Sequence, residues 1–259
     1  MDLTQLWLGF ALLALLLGLC LGSFYNVCVH RYLTGQSIIS PGSHCPQCAH
    51  PLSWWENVPL LSYIILLGRC RSCKTHISLR YPALEIVSGL WALALALKFG
   101  ADWIWILYLA FGGILLVLSF IDLESYLLPD FLTLPGAGAA FCCAWLLPHL
   151  SWQNSLLGAV LGAGFFWLLQ RIYQLLKGMQ GLGSGDIKLM LLLGALLGWQ
   201  ALPLVIFLAA LSGLIISLLY LRYSQNEGLQ TAIPFGPFLS LGAMLYILFG
   251  TEIMRWYLG

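Results

Sequence analysis

Four cysteines in the polar part of the chain have the spacing of ligands to a single metal ion. Cys45 and Cys48 form one C-x-x-C pair, and Cys70 and Cys73 form a second. Two such pairs can present four thiolates to a tetrahedral zinc ion. A closed four-sulfur site leaves no open position for a substrate, so the spacing predicts a structural zinc site rather than a catalytic one.

Two alternatives to a four-cysteine zinc site remain open. His44, His50 and His76 lie nearby and could compete as ligands, although we prefer to interpret each as a surface histidine or one beside the cluster. The pairs could also form disulfides. That alternative is the weaker one, because the distribution of Lys and Arg, described below, places this region in the cytosol, where thiols stay reduced.

Two aspartates, each at one end of an apolar run, form a second candidate site. Asp122 ends the run 103–121, and Asp186 precedes the run 187–199. A charged residue at the end of a membrane-spanning segment is energetically costly and usually has a function. Two carboxylates close together in a partly dry site cannot easily both ionise, so they share a proton. Such a pair suits peptide hydrolysis, in which one acid activates water and the other protonates the substrate.

The glycine-rich stretch 181–188 leads into Asp186 and allows other interpretations. Asp186 could simply cap the helix that follows. The glycines could form a phosphate cradle, but the stretch lacks the Gly-Lys-Ser/Thr ending of a P-loop, and its spacing does not fit G-x-G-x-x-G. Nearby, Asp130 follows a proline and resembles a helix cap, whereas Lys188 is expected at the membrane interface. We therefore discard nucleotide binding here and keep Asp122 and Asp186 as the catalytic candidates.

The elements that must position these residues are membrane helices. Of the 259 residues, 61% are hydrophobic and 8% are charged, which lies far outside the profile of a soluble domain. Apolar runs near the length needed to cross a bilayer recur along the chain. The chain is therefore predicted to be an all-α polytopic membrane protein. We count eight spans: 3–24, 82–97, 103–121, 131–147, 156–176, 187–199, 201–221 and 235–257.

The predicted organisation has three parts. Residues 1–25 form a first span, residues 26–81 form a polar domain that holds the four cysteines, and residues 82–259 form a seven-span core. Within the polar domain, the short apolar run 60–67 is too short to cross a bilayer. It is expected to pack in the extramembrane domain or to lie at the interface.

The basic residues indicate the orientation. With the N-terminus outside, nine of the 11 Lys and Arg residues fall on the cytoplasmic side, as the positive-inside rule requires. The cysteine domain, Asp122 and Asp186 then face the cytoplasm. No basic tract suggests nucleic acid as a partner.

Composition alone leaves other functions open. Paired acids in a membrane also mark ion pathways, so a transporter or channel is an alternative. A structural membrane anchor for a zinc module is a third hypothesis. It predicts that losing both acids leaves the phenotype intact.

The motifs taken together resemble one family, the bacterial type IV prepilin peptidases, also called leader peptidase/N-methyltransferases. Any one motif is weak, but their order and spacing are specific. The matching residues are Gly22-Ser23-Phe24, Asn26-Val27, Arg31, the two cysteine pairs, Asn57-Val58-Pro59, Ser62, Arg80-Tyr81-Pro82, Glu85, Ile121-Asp122, Leu128-Pro129-Asp130, Gly183-Ser184-Gly185-Asp186, Lys188 and Pro234-Phe235-Gly236-Pro237. One departure is Leu33, where the family pattern has proline.

The resemblance implies a membrane aspartic peptidase of the G-x-G-D type in the bacterial inner membrane, with Asp122 and Asp186 as its catalytic acids. Its members cleave the basic leader of type IV prepilins or type II secretion pseudopilins at the cytoplasmic face. Many of them then methylate the new N-terminal residue with S-adenosylmethionine. Because this chain has the large cytoplasmic domain with all four cysteines, both activities are expected. Asn57, Glu56 and Glu85 are candidates for the methyl-donor site by position only.

Overall fold

The structure, a computed structural model, describes residues 3–147, 150–178, 183–223 and 233–258. Nine α-helices and no β-strand occur in this part of the chain. The helices are α1 Leu3–Thr34, α2 Leu61–Ile65, α3 Arg80–Phe99, α4 Trp103–Ser125, α5 Asp130–Cys143, α6 Trp152–Lys177, α7 Ser184–Leu197, α8 Leu202–Tyr223 and α9 Gly236–Leu258.

All eight predicted spans are helices, and the all-α membrane class is confirmed. Among the described residues, six helices are long and apolar enough to cross a bilayer: α1, α3, α4, α6, α8 and α9. The other two, α5 and α7, have 14 residues each. At about 1.5 Å per residue, each falls short of the roughly 30 Å hydrocarbon layer. The predicted count of eight therefore comprises six full-length helices and two shorter ones.

The chain divides into two compact units, Met1–Val117 and Leu118–Gly259, with the boundary inside α4. These units do not follow the predicted division at residues 25 and 81. In particular, α1 continues to Thr34, well past the predicted end of the first span, and carries the buried Arg31 in its last turn. The division into a span, a zinc domain and a peptidase core stays a prediction.

In the first unit, α1 packs closely along α3. Gly18 and Gly22, four positions apart, make this approach possible. A Cβ at Gly18 would lie 2.6 Å from the Ser88 carbonyl oxygen, and one at Gly22 would lie 2.7 Å from the Glu85 Cα. Small residues at this spacing let two membrane helices approach closely. The segment between these helices holds the cysteines and the five-residue helix α2. Its exposed apolar side chains favour the second of its two expected locations, the membrane interface, over packing in the extramembrane domain.

In the second unit, α7 is the central helix, and α5, α6 and α9 pack against it. The crossing of α6 and α7 brings two backbones together, because a Cβ at Gly158 would lie 2.3 Å from the Gly194 carbonyl oxygen. Ser155 in α6 donates to the Ala195 carbonyl oxygen at 2.6 Å. The short helix α7 is thus enclosed by longer ones, and its residues from Leu189 to Leu196 are almost all buried.

Candidate active site and cysteine cluster

Asp122 lies one turn before the end of α4 and is only 5% exposed. Its Oδ2 accepts a hydrogen bond from the backbone N–H of Gly236, the first residue of α9, at 3.1 Å. The chain leaves α4 through a tight turn in which Tyr126 has a φ of 56° and donates its N–H to the Asp122 carbonyl oxygen. Burial and a backbone donor therefore hold this carboxylate in a defined place.

Asp186 is the third residue of α7 and is 8% exposed. The N-cap of α7 is Gly183, so the interpretation of Asp186 as a simple helix cap was wrong. Gly181 and Leu182, the first residues of the predicted glycine stretch, lie outside the described residues.

The structure brings the two aspartates together. Asp122 and Asp186 are close enough to interact electrostatically. Leu128 lies next to Gly185 at the start of α7 and Gly236 at the start of α9. A Cβ at Gly185 would lie 2.9 Å from the Leu128 Cβ, and one at Gly236 would lie 3.4 Å from the Leu128 Cδ1. The end of α4 and the starts of α7 and α9 thus meet around two buried carboxylates that interact electrostatically. Such a pair can share one proton and can act as general acid and base.

Lys188 does not neutralise this pair. Its Nζ lies 2.5 Å from Oδ1 of Asp130, the first residue of α5. The expectation that Asp130 caps α5 was wrong, because the N-cap is Pro129 and the Asp130 carboxylate pairs with the lysine instead. The ion pair links the first residue of α5 to the second turn of α7, and Lys188 lies three positions after Gly185, on the same face of α7.

The four cysteines also come together, as their spacing predicts. The sulfur atoms of Cys45, Cys48, Cys70 and Cys73 all lie within 4.8 Å of one another, so they could hold one metal ion. No histidine belongs to this group among the residues that the structure places. All four are free thiols rather than disulfides.

Each pair lies in a short hairpin of the same design. An isolated β-bridge joins His44 to Pro51 in the first, and another joins Arg69 to His76 in the second. In each hairpin, the backbone N–H of the first cysteine donates to the carbonyl oxygen of the residue five positions later. The bonds run from Cys45 to His50 and from Cys70 to Thr75, both at 2.9 Å. The two hairpins bring four sulfurs together, which is the set of ligands that a closed tetrahedral site uses.

One thiol of the cluster is set up to ionise. The Thr75 hydroxyl lies 3.2 Å from the Cys73 sulfur and, with the Thr75 backbone N–H, lowers the pKa of that thiol to about 6. Because the thiolate is the form that binds metals, this hydrogen bond favours metal binding at neutral pH.

Two buried acids of the first unit organise the backbone around the cysteine hairpins. Glu56 accepts from the Ser53 N–H at 2.8 Å, and Glu85 accepts from the Leu60 N–H at the same distance. Leu60 has a φ of 60°, which is strained for a residue with a side chain, and the Glu85 carboxylate holds that turn in place.

Sequence reasoning missed the contact between Gly236 and Asp122. The stretch 234–237 was noted only for its resemblance to a family, and no spacing rule connects it to an acid 114 positions earlier. A glycine between two prolines at the start of an apolar run was the only available signal.

The fold and the paired acids define a polytopic membrane protein with a candidate aspartic peptidase centre, and comparison with known proteins identifies the family. The Bacterial Peptidase A24 N-terminal domain matches residues 16–99, and the Type IV leader peptidase family matches residues 109–218. Three similar proteins are named prepilin leader peptidase/N-methyltransferase. The one from Aeromonas hydrophila is 38% identical over 97% of this chain and 94% of its own length. The one from Pseudomonas aeruginosa gives the same figures, and the one from Burkholderia pseudomallei is 38% identical over 92% and 85%. No solved structure is significantly similar to the chain.

The chain therefore belongs to the prepilin leader peptidase/N-methyltransferase family. This membership confirms the resemblance inferred from the motifs and makes the chain an enzyme. It does not favour the transporter or channel alternative.

Proposed function

We propose that this chain cleaves the basic leader of type IV prepilins or type II secretion pseudopilins and then methylates the new N-terminal residue. The observation that carries the peptidase activity is the pair of adjacent buried carboxylates, Asp122 and Asp186, in a chain of this family. Relatives that align along almost the whole chain carry both activities in their names.

Asp122 and Asp186 are the catalytic residues in this proposal. One carboxylate takes a proton from water, while the other, protonated, polarises the scissile carbonyl group. Both acids lie at helix ends rather than in the middle of an apolar helix. A prepilin whose apolar N-terminal helix stays in the bilayer therefore presents its scissile bond at the membrane boundary, where water is available.

The active site faces the cytoplasm of a bacterial inner-membrane protein whose N-terminus is outside. Nine of the 11 Lys and Arg residues support this orientation. The proposed partners are the prepilin and the lipid bilayer. The basic leader of the substrate then meets the enzyme without crossing the membrane.

Zinc is the metal that we propose for the cysteine cluster. Cys45, Cys48, Cys70 and Cys73 form the closed set of four sulfurs that structural zinc sites use. The ion stabilises the two hairpins by fixing them to each other.

S-adenosylmethionine supplies the methyl group in the second reaction. Of the three residues that are candidates for the methyl-donor site by position, Glu56 is the one that a structural observation supports. Its Oε1 is buried and has no hydrogen-bond partner in the described part of the chain. An unpaired acceptor of this kind can take a hydrogen bond from the ammonium group or a ribose hydroxyl of the methyl donor once the residues that cover it move aside.

Incubation of the purified, lipid-reconstituted chain with a synthetic prepilin and S-adenosylmethionine tests both activities by intact-mass measurement. We expect loss of the leader and a gain of one methyl group. Asp122→Asn and Asp186→Asn should each lower cleavage by about 10²–10⁴-fold while the protein stays in the membrane. Full cleavage by either variant would refute the catalytic assignment, and a product without the added methyl group would restrict the chain to peptidase work. Ion flux without cleavage in the same liposomes would favour a transporter.

A further inference from the structure

The two carboxylates of the candidate active site have different surroundings. The Gly236 N–H donates to Asp122 Oδ2 at 3.1 Å, and this contact is buried. A backbone N–H can only donate, and its bond to an ionised carboxylate is stronger than its bond to a neutral acid. Gly236 is also the first residue of α9, where the helix dipole favours a negative charge. Both effects stabilise Asp122 in its ionised form.

Asp186 lacks a matching donor. In the ranges that the structure describes, no group donates a hydrogen bond to its carboxylate, and the nearby cation Lys188 pairs with Asp130. Asp186 also lies in the first turn of its own helix, so a helix N-terminus acts on both acids. Asp122 lies near the C-terminal end of α4, which disfavours its charge, but this effect is weaker than a direct hydrogen bond to a carboxylate. The hydrogen bond from α9 is therefore what distinguishes them, and it assigns the shared proton to Asp186.

The identity of residue 236 follows from the same contact. A Cβ at this position would lie 2.5 Å from Asp122 Oδ2, far inside van der Waals distance. Any side chain would therefore displace the carboxylate or lengthen its hydrogen bond. Glycine is required at position 236 because the backbone approaches the Asp122 carboxylate closely, and not because of an unusual φ.

We propose that Gly236 is a positioning residue that holds Asp122 ionised through Oδ2, so that Asp122 is the general base and Asp186 the general acid. This inference rests on the proposed peptidase function. Oδ1 of Asp122 takes a proton from water as the water oxygen bonds to the carbonyl carbon. Asp186 gives its proton to the carbonyl oxygen. In the second step Asp122 protonates the leaving nitrogen, the C–N bond breaks, and one hydroxyl proton returns to Asp186. The pair is then restored to its starting state.

Chemical labelling tests the assignment of the proton. An aryl glycidyl ether is opened by a carboxylate anion, whereas a diazoacetyl amino-acid ester with copper esterifies a protonated carboxyl group. We expect peptide mapping of the full-length protein in lipid to find the epoxide on Asp122 and the diazo reagent on Asp186. The reverse assignment would overturn the proposal.

Two changes at Gly236 test its positioning role. Gly236→Ala should lower kcat by about 10–10²-fold, since displacements of about 1 Å have effects of that size, and should leave KM within about twofold. Replacing Gly236 with glycolate by cell-free synthesis removes the N–H without adding a Cβ, and kcat should fall in the same way. Gly213→Ala in α8 is the matched control, because its Cβ would make an ordinary 3.5 Å contact with Phe238 of α9.

The outcomes separate this inference from the proposed function. An unchanged kcat in both Gly236 variants, with Asp122→Asn inactive, would overturn the inference alone. A rise in KM without a fall in kcat would also overturn it, because the residue would then act on substrate binding. Absence of leader cleavage by the unaltered protein would instead refute the proposed function.

Discussion

The cysteine cluster and the pair of carboxylates are assembled in opposite ways. The cluster is local: each half is a hairpin of eight residues, closed by a β-bridge and by hydrogen bonds within the hairpin. The carboxylate pair is distributed over three helices, and Asp122 takes its hydrogen bond from a residue 114 positions away. Metal ligands can therefore be recognised from short-range spacing, whereas the acid pair depends on how α4, α7 and α9 pack.

This contrast predicts that metal content and leader cleavage respond to different substitutions, and these are the largest effects that we expect. Cys45→Ser should reduce bound zinc from about one ion per chain to a small fraction of that, because a structural site needs all its ligands. Asp186→Asn should lower leader cleavage by about 10²–10⁴-fold and leave the metal content unchanged. Elemental analysis and leader cleavage, measured on the same preparations, provide the comparison.

Two results would contradict the separation of the sites. One is normal zinc content in both Cys45→Ser and Cys73→Ser. The other is loss of zinc in Asp186→Asn, since that would show that the carboxylate pair and the cluster depend on each other. Cys142→Ser is the control, because Cys142 lies outside the cluster in α5.

The same contrast explains what could be predicted from the sequence. The four zinc-ligand candidates follow from C-x-x-C spacing, and the eight apolar helices follow from runs of apolar residues. Asp122 and Asp186 could be chosen as candidates because an acid at the end of an apolar run is unusual. Their meeting could not be derived, because it depends on close contacts such as that between Leu128 and Gly185.

Local interpretations failed where a distant partner acts on a residue. Asp130 after Pro129 has the pattern of a cap, but Lys188 of α7 binds its carboxylate. Asp186 at the start of a helix also resembles a cap, but it is buried, and its helix packs against α5, α6 and α9. The helix α1 continues past the predicted end of the first span, because Asn26 and Arg31, although polar, are both buried in it. Periodicity and capping rules do not include such tertiary partners.

Packing around α7 provides a second test, with an intermediate effect. A Cβ at Gly194 would lie 2.1 Å from the Gly158 carbonyl oxygen, and because that neighbour is backbone, α6 and α7 must separate. Gly194→Ala should therefore cost about 1–3 kcal/mol of stability and should lower cleavage as Asp186 shifts with α7. Thermal unfolding in lipid and leader cleavage measure the two effects. Gly164→Ala in α6 is the matched control, since open space surrounds that position. An unfolding midpoint equal to that of Gly164→Ala would contradict the tight crossing.

Glu56 gives the smallest expected effect and tests whether the cysteine hairpins depend on local hydrogen bonds. The Ser53 N–H holds the pKa of Glu56 below its ordinary value of 4.5, with a further contribution from His50. A carboxyl group whose pKa is lowered on folding stabilises the protein above its unfolded pKa, and this contribution is lost as pH falls through the folded pKa. Glu56→Gln should therefore lower the unfolding midpoint of the zinc-loaded protein above about pH 5.5. The difference from the unaltered protein should shrink below about pH 4.5. A difference that instead grows as the pH falls below about 4.5 would mean that Glu56 is protonated in the folded protein, and the Ser53 contact would then not be the one that organises this segment.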